Sequence, residues 1–273
     1  MINRTRLSSA AARARRELME AMVLNEAQKM LGLEGTGPEV AIYRTMLLAE
    51  GLHREGEDGA WQFSSPEPGN HYYQLWEALI QATESADDVA IPVSGIIRLL
   101  RSPPFGLKEG PIPILLCLFL IVNSDELALY QEGAFIPWLG PEEMELMTKR
   151  PEYFTVRRFQ QAKLRGQVFQ LYMSLLKAQP STESRQTRNP SLIGVVGPLV
   201  QFVKSLKPYA LHTRAVSRYA QNVRHVLQHA RDPFDLLYVD LPRAVDLPQG
   251  NCMTFSAKPS QPVPFRLSSC IVP

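Results

Sequence analysis

Residues 112–122 form a strongly apolar run in which every residue except Pro113 is hydrophobic. Proline is tolerated in the first turn of an α-helix, so Pro113 is compatible with a helix that begins at this point. Eleven residues are too few to span a bilayer. A helix that is apolar on every side is instead a buried helix. The fold must therefore supply enough other elements to surround it.

The residues before this run predict an amphipathic helix and a tight turn. Residues 96–100 place aliphatic side chains on one helical face, whereas Arg98 and Arg101 lie on the other. Pro103 and Pro104 end this helix, because proline restricts the preceding residue and donates no backbone hydrogen bond. The order of helix, turn and second helix is typical of a helix-turn-helix.

The residues after the run predict a β-hairpin. Residues 127–130 and 134–137 are β-prone segments joined by a short loop that ends in Gly133. Pro141 then begins a helix whose first turn is acidic, which suits the positive end of a helix dipole. We therefore expect a mainly α fold with a small β-hairpin, a helical domain containing a winged-helix-like module.

Helical periodicity continues beyond this module. Residues 156–176 predict a long helix, and the polar stretch at 179–190 marks a boundary. Asp232 followed by Pro233 predicts an N-cap with proline at the first helical position. The expected segments are an N-terminal helical segment at 1–84, the winged-helix-like module with its long helix at 85–178, a C-terminal helical segment at 191–247 and an irregular tail at 248–273.

Composition restricts the class of protein more than its function. Hydrophobic residues at 45% and charged residues at 21% are ordinary for a soluble globular protein. The net charge is only +2, but residues 34–88 are mostly acidic, whereas residues 149–188 and 204–231 are mostly basic. This asymmetry fits either an anion-binding face or two halves that attract each other. Three widely spaced cysteines without a CxxC pair favour a reducing compartment, so we expect a cytoplasmic protein that does not cross a membrane.

The motifs of common catalytic sites are missing from the sequence. No Gly-Lys pair occurs, so there is no phosphate-binding loop of the G-x-x-x-x-G-K-[ST] type, and neither G-x-S-x-G nor H-E-x-x-H is present. Ser174 and Lys177 match S-x-x-K on a predicted amphipathic helix, but the partner motifs S-D-N and K-T-G are missing. We therefore expect a protein that is not an enzyme and needs no cofactor.

His225 and His229 are the most suggestive metal-binding pair. Their i, i+4 spacing would place two imidazoles on one helix face, as two ligands of one metal require. Asp232 could complete the set, although capping a helix already explains it. The more frequent outcome for such a pair is a solvated helix face, so we expect no metal site here, and an enzyme built on these three residues is the third alternative.

Basic residues near the winged-helix-like module are the candidate nucleic-acid contacts. The apolar helix at 112–122 has no side chain that could contact a base edge, and the predicted hairpin carries Glu132 without a lysine or arginine. These features favour a non-catalytic interaction or structural module, with Phe135 and Trp138 as partner contacts or core residues. The alternative is a winged-helix DNA-binding protein that contacts phosphates through Arg98, Arg101, Lys108, Arg157 and Arg158.

Two stretches of the central region support a family resemblance. The segment RLLRSPPFGLKEGPIPILLCLFL and the following ELALYQEGAFIPWL resemble the winged-helix region of the very large bacterial ATPases of phage-defence loci, the PglY-like ATPases of BREX-type systems. The resemblance covers about the central quarter of the chain. It implies a fragment of a large ATP-driven machine that acts against foreign DNA, whose remaining part would be the protein partner. The ATPase motifs are not in this chain, so the resemblance assigns no ATPase residue.

Overall fold

The computed structural model describes residues 7–56, 59–84, 90–159 and 189–245. The chain divides into two compact units. The N-terminal unit comprises Met1–Gln161 with Thr182–Pro190, and the C-terminal unit comprises Ala162–Ser181 with Ser191–Pro273. The described residues are mainly helical with small antiparallel sheets, which confirms the predicted mainly α class.

The first half of the N-terminal unit consists of three helices and a two-stranded sheet. Helix α1 begins where the Ser8 side chain accepts a hydrogen bond from the Ala11 amide at 3.2 Å, a standard N-cap. Helix α2 has Pro38 at its first position, where proline is favoured, and continues as a π-helical turn over Arg44–Leu48. The elements are α1 (Ser9–Leu24), α2 (Pro38–Tyr43), β1 (His53–Glu55), β2 (Trp61–Phe63) and α3 (Tyr73–Glu84).

The second half of this unit contains two successive helices, α4 and α5, followed by the predicted hairpin. Its elements are β3 (Ile91–Pro92), α4 (Val93–Arg101), α5 (Pro111–Val122), β4 (Leu127–Gln131), β5 (Ala134–Ile136), α6 (Pro141–Lys149) and β6 (Phe154–Arg158). The four strands form one antiparallel sheet in the order β3-β6-β4-β5. Leu129 of β4 is therefore opposite both Ile136 and Val156.

The apolar run is a buried helix, as predicted. Ten of the 12 residues of α5 are buried, and Phe119 lies 5.1 Å from the ring of Trp76 on α3 in an edge-to-face contact. The same hydrophobic core contains side chains of α1, α4, α6 and the sheet. Residues from both the expected 1–84 segment and the expected 85–178 segment thus surround one helix and share one core.

The β4–β5 hairpin is also confirmed, with a tighter loop than the predicted one. Gln131 pairs with Ala134, so only Glu132 and Gly133 form the loop. Both have positive φ, at 50° and 81°, which is the conformation of a type I′ turn. The turn twists with the strands, and Gly133 adopts its conformation without a side-chain clash.

The prediction of a long helix over residues 156–176 is wrong at its start. Residues Val156 to Arg158 belong to strand β6, and residues 160–176 lie outside the described residues. Phe154 and Val156 are buried on one face of the strand, and Arg158 follows at the same spacing of two residues. Pairing with both β3 and β4 stabilises an extended backbone here, and this tertiary pairing overrides local helical periodicity.

The described part of the C-terminal unit is helical throughout. Its elements are α7 (Pro190–Ser205), α8 (Pro208–His212), α9 (Arg218–Gln228), α10 (Pro233–Asp235), a π-helical turn (Leu236–Asp240) and α11 (Leu241–Ala244). The predicted cap is present, because Asp232 Oδ1 accepts hydrogen bonds from the amides of Phe234 and Asp235 at 2.8 and 2.9 Å. The expected irregular tail at 248–273 lies outside the described residues.

Across the described parts of both units, no helix combines the length and the apolar character that a membrane-spanning segment requires.

Candidate binding cleft

A cleft of about 700 Å³ opens in the N-terminal unit among helices α1, α4, α5 and α6. Its volume lies in the range of ligand-binding pockets in proteins. The lining combines apolar, hydroxyl and charged side chains; its charged members are Arg15, Arg98, Arg101 and Glu109. We refer to this feature as the arginine cleft.

The apolar part of the arginine cleft comes from the first half of α5 and from α6. Ile112, Pro113 and Leu116 line the cleft where α5 begins, and Met144 and Met147 line it from α6. All five are buried in the unit. Methionine side chains are flexible and polarisable, so this wall can adapt to apolar groups of different shapes.

The charged part is strongly asymmetric. Arg98 and Arg101 are three residues apart on α4 and therefore lie on the same helix face, and Arg15 reaches the cleft from α1. Against these three cations stands Glu109, in the loop before α5. Arg101 Nη2 lies 2.7 Å from Glu109 Oε1, and Arg15 Nη1 donates to the Glu109 carbonyl oxygen at 3.3 Å. One carboxylate thus faces three guanidinium groups, and the cleft is electropositive.

Arg15 has the least satisfied side chain of the three arginines. Its Nε is buried and has no hydrogen-bond partner within the described residues. Burial lowers the pKa of the Arg15 guanidinium, an effect that Glu109 partly offsets. The group remains charged at neutral pH, because arginine loses its proton only in strong base. A buried donor without a partner is costly, so an acceptor placed in the cleft would be stabilised at this position.

The five basic residues predicted as phosphate contacts are not brought together at one place. Arg98 and Arg101 line the arginine cleft, and Lys108 is an exposed residue of the loop that carries Glu109. Arg157 and Arg158 lie on strand β6 and do not line the cleft. The arginine cleft therefore contains two of the five predicted residues.

Arg158 is engaged inside the unit. Its side chain is only 7% exposed and lies on the core-facing side of β6, where it bonds Glu126 Oε2 at 2.7 Å and Thr83 Oγ1 at 2.9 Å. Nη2 also donates to Asn123 Oδ1 at 3.2 Å. Burial lowers the pKa of Arg158, while Glu126 opposes the shift. These contacts join β6 to the ends of α3 and α5, which is a structural role and does not favour contact with phosphate.

The histidine pair of α9 stacks without forming a metal-binding group. The rings of His225 and His229 are 4.3 Å apart and nearly parallel, and His229 Nδ1 donates to the carbonyl oxygen of His225 at 2.8 Å. Asp232 accepts hydrogen bonds from two backbone amides. Within the described ranges, no group of three or more His, Cys, Asp or Glu side chains is placed to hold a metal ion.

A buried polar cluster around His53 was not anticipated from the sequence. His53 is fully buried; its Nε2 donates to the Glu26 carbonyl oxygen at 2.8 Å, so Nδ1 accepts from the Tyr43 hydroxyl at 2.8 Å. The Glu26 carboxylate accepts from the Phe63 amide at 3.0 Å. Burial lowers the pKa of His53 and raises the pKa of Tyr43 to about 12, so both groups are neutral at pH 7. The cluster ties α1, α2 and the β1–β2 hairpin together.

Sequence reasoning also missed Arg15 and Glu109 as partners. Arg15 and Glu109 are 94 residues apart, and only the packing of α1 beside α5 brings them into contact. A basic helix face beside an apolar helix is a signal that such a site can exist. It does not identify which arginine faces the cleft.

No protein-family model, curated protein sequence or solved structure is significantly similar to this chain. The geometry of the described residues is therefore the basis for a functional interpretation.

Proposed function

We propose that this protein is a non-catalytic interaction module and that the arginine cleft binds an acidic, partly apolar segment of a protein partner. The observation that carries this proposal is the charge of the cleft. Arg15, Arg98 and Arg101 face a single carboxylate, that of Glu109, beside an apolar wall. The buried Arg15 Nε adds a donor that still needs an acceptor.

A carboxylate and a nearby aliphatic side chain together fit this arrangement. A carboxylate accepts from two donors of one guanidinium at once, which makes such pairs geometrically specific. Arg98 is exposed in the free cleft, and Arg101 can exchange the half-exposed Glu109 for a partner's carboxylate. An aliphatic side chain of the same segment would enter the cleft that Met144 and Met147 line, and the burial of its own apolar surface would add favourable free energy.

In this proposal, helices α4 and α5 and the β4–β5 hairpin act as a winged-helix-like module that packs against a protein partner. Helix α5 occupies the position of a recognition helix, yet ten of its 12 residues are buried, so it offers no surface to a DNA groove. Trp138, just after the hairpin, is 47% exposed and is a suitable anchor for a partner. The resemblance to phage-defence ATPases would make the remainder of such a cytoplasmic machine the partner.

The second candidate is a DNA-binding protein that contacts the phosphate backbone. The exposure of Arg98, Arg101 and Lys108 within one helix and the following loop favours it. The internal bonds of Arg158 oppose it, because a guanidinium that already has three partners would have to leave them to reach a phosphate.

Peptide binding measured by fluorescence anisotropy tests the proposal. A fluorescein-labelled peptide of alternating Glu and Leu should bind the full chain, whereas peptides of alternating Lys and Leu or Ser and Leu should not. Arg98→Gln combined with Arg101→Gln should weaken binding by about tenfold or more, because charge-assisted hydrogen bonds are lost. Tight binding of labelled duplex DNA that depends on the same two arginines would support the DNA-binding candidate instead.

Arg54→Gln is a matched control for this experiment. Arg54 is 52% exposed and 2.7 Å from Glu67, whereas Arg101 is 50% exposed and 2.7 Å from Glu109. The two arginines have the same local environment, but only Arg101 lines the cleft. If Arg54→Gln weakened peptide binding as much as Arg101→Gln, the attraction would be general and the cleft would not be the site.

A further inference from the structure

The C-terminal unit contains a long stretch with positive charge and no negative charge. Residues 191–231 contain no Asp or Glu, and the first acidic residue after them is Asp232. The same stretch has six cationic residues, which are Lys204, Lys207, Arg214, Arg218, Arg224 and Arg231. Its charge is therefore not neutralised by acidic neighbours in the sequence, in contrast to the near-neutral chain as a whole.

Five of these six cations are exposed. Arg224 is the exception, because its Nη1 donates to the Ala210 carbonyl oxygen at 2.6 Å and its Nη2 to the Thr213 carbonyl oxygen at 2.8 Å. The ion pairs within the described part of the chain do not involve the remaining five, which are Lys204, Lys207, Arg214, Arg218 and Arg231. Their charged ends therefore project toward solvent.

Exposed aromatic residues alternate with these cations along the chain. Tyr209 is 78% exposed, Tyr219 is 52% exposed and Phe202 is 40% exposed. These three are also the large hydrophobic residues of the described C-terminal unit that are exposed, and all of them are aromatic. We call Lys204, Lys207, Tyr209, Arg214, Arg218 and Tyr219, which are exposed and close together in the sequence, the basic–aromatic surface.

Local hydrogen bonds hold the backbone that presents this surface. Through its two bonds, Arg224 fixes α8 and the following turn against α9. Gln221 Nε2 donates to the carbonyl oxygens of Arg214 and Val216, and the Ser217 side chain caps α9 by accepting from the Ala220 amide. The backbone between Tyr209 and Tyr219 thus has a defined conformation. It does not have to become ordered when a ligand binds.

The start of α9 adds to the positive potential. Its first turn contains Arg218 and no acidic residue, so a cation lies at the positive end of the helix dipole. This placement is unfavourable for the isolated protein and becomes favourable when an anion approaches. Together with the exposed Lys204 on α7 and Lys207 just before α8, it points to a ligand with several negative charges.

We propose that the basic–aromatic surface binds single-stranded nucleic acid, with Lys204, Lys207, Arg214 and Arg218 contacting phosphates and Tyr209 and Tyr219 stacking on bases. Single strands are favoured over duplexes because base faces are available to tyrosine rings only when they are not stacked in a duplex. An acidic protein would use the cations but would not need the aromatic rings. This site is separate from the arginine cleft, and the inference does not depend on the function proposed for it.

Anisotropy titrations of the full chain with fluorescein-labelled oligothymidine test this inference. We expect the logarithm of the binding constant to fall with the logarithm of salt concentration with a slope of about −3, since four phosphate contacts each contribute about −0.7 on single strands. Arg214→Gln combined with Arg218→Gln should reduce the slope by about half. Tyr209→Ala and Tyr219→Ala should each weaken binding about tenfold, as expected for one lost stack, whereas Tyr209→Phe should bind like the unaltered chain.

Two matched controls and two competing ligands make the outcome decisive. Tyr153→Ala removes a 41% exposed tyrosine from the N-terminal unit, and Arg54→Gln removes an exposed arginine there; neither should change binding. Circular dichroism of each variant checks that the helices remain folded. The proposal is overturned if poly-glutamate competes as well as oligothymidine, if vesicles with phosphatidylserine bind more tightly through the same residues, or if both tyrosine variants bind like the unaltered chain.

Discussion

Two neighbouring pairs of arginine and aromatic side chains, one from each unit, have opposite environments. In the N-terminal unit, Phe119 is fully buried against Trp76, and Arg158 is 7% exposed with three side-chain partners. In the C-terminal unit, Tyr219 is 52% exposed and Arg218 beside it is exposed without an acidic neighbour in its helical turn. The same residue types are therefore part of the core at the first pair of positions and face solvent at the second.

This difference in burial distinguishes residues that stabilise the fold from residues of the same type that are available to bind a ligand. A buried arginine with a carboxylate partner contributes to folding, and it is not free to bind a ligand without breaking internal bonds. Exposed arginines and tyrosines contribute little to stability, so their presence in number suggests binding. The arginine cleft lies between these extremes, because Arg15 is partly buried and has an unsatisfied donor.

Tryptophan fluorescence can follow the N-terminal unit separately. The chain has three tryptophans, Trp61, Trp76 and Trp138, and all belong to that unit. Urea unfolding monitored by fluorescence therefore reports the N-terminal unit, and far-ultraviolet circular dichroism reports the helices of both units. The predictions below use these two signals to compare matched substitutions.

The largest difference should appear when an aromatic residue of each unit is truncated. Phe119→Ala should lower the free energy of unfolding of the N-terminal unit by about 4 kcal/mol, because it leaves a cavity beside Trp76 in a packed core. Tyr219→Ala should change the stability measured by circular dichroism by less than about 0.5 kcal/mol. A loss below about 1 kcal/mol for Phe119→Ala would show that α5 is not the centre of the core.

The next largest difference is expected for arginine. Arg158→Leu should destabilise the N-terminal unit by about 3 kcal/mol, because Glu126 loses the cation that compensates its partial burial. Arg218→Leu should have an effect within about 0.5 kcal/mol. Adding Glu126→Leu to Arg158→Leu should restore part of the stability, since it removes the uncompensated carboxylate. No recovery in the double variant would contradict the assigned ion pair.

The buried His53 should make the N-terminal unit sensitive to acid. Its pKa is lowered from 6.5 in the folded state, so the unfolded chain binds more protons in the window below pH 6.5. The contribution of neutral His53 to stability is then fully present above about pH 6.5, and it is lost as the pH falls toward the lowered pKa of the folded state. His53→Leu should cost about 2 kcal/mol at pH 7.5, because Tyr43 and the Glu26 carbonyl lose a partner.

The His53→Leu variant should show a flatter pH dependence of the free energy of unfolding between pH 7.5 and 5. Urea midpoints from tryptophan fluorescence at a series of pH values measure this change. His225→Leu is the matched control, since His225 is exposed on α9 in the other unit. An unaltered pH profile in His53→Leu would mean that another group causes the acid sensitivity.

The smallest effect is expected for the serine N-caps, which occur in both units. Ser8 caps α1 and Ser217 caps α9, and in both cases the side-chain oxygen accepts from the amide three residues later at 3.2 Å. Ser→Ala at either position should cost about 1 kcal/mol. Fluorescence should detect Ser8→Ala, and circular dichroism should detect Ser217→Ala. Unequal costs would show that the surroundings of one cap contribute as much as the cap itself.

Local sequence signals predicted much of the fold. The apolar run predicted the buried helix α5, Gly133 predicted the hairpin loop, and Pro141 and Asp232 predicted helix starts that the structure has. Each of these signals depends on a few neighbouring residues and on backbone geometry that tertiary contacts do not alter. The predicted helix at Val156 failed because strand pairing, which is non-local, decided the backbone conformation there.

The sequence predicted less of the candidate binding sites than of the fold. Arg98 and Arg101 were identified from the sequence, but the cleft they line also requires Arg15 from α1 and Met144 from α6. The pairing of Arg158 with Glu126 and Thr83 spans 32 and 75 residues, and nothing in the local pattern distinguishes it from its exposed neighbours. Which arginine is structural and which is available to a ligand is a property of packing.

The amino-acid sequence by itself determined the helical class, the buried central helix, the hairpin and the positive charge of residues 191–231. These follow from side-chain hydrophobicity, backbone conformational preferences and charge, which act over a few residues. Only the tertiary structure decided that β6 lies between β3 and β4, that Arg158 is buried and that Arg15 and Arg101 both bond Glu109. Those features depend on which distant elements pack together, because burial and hydrogen-bond partners are set by the whole core.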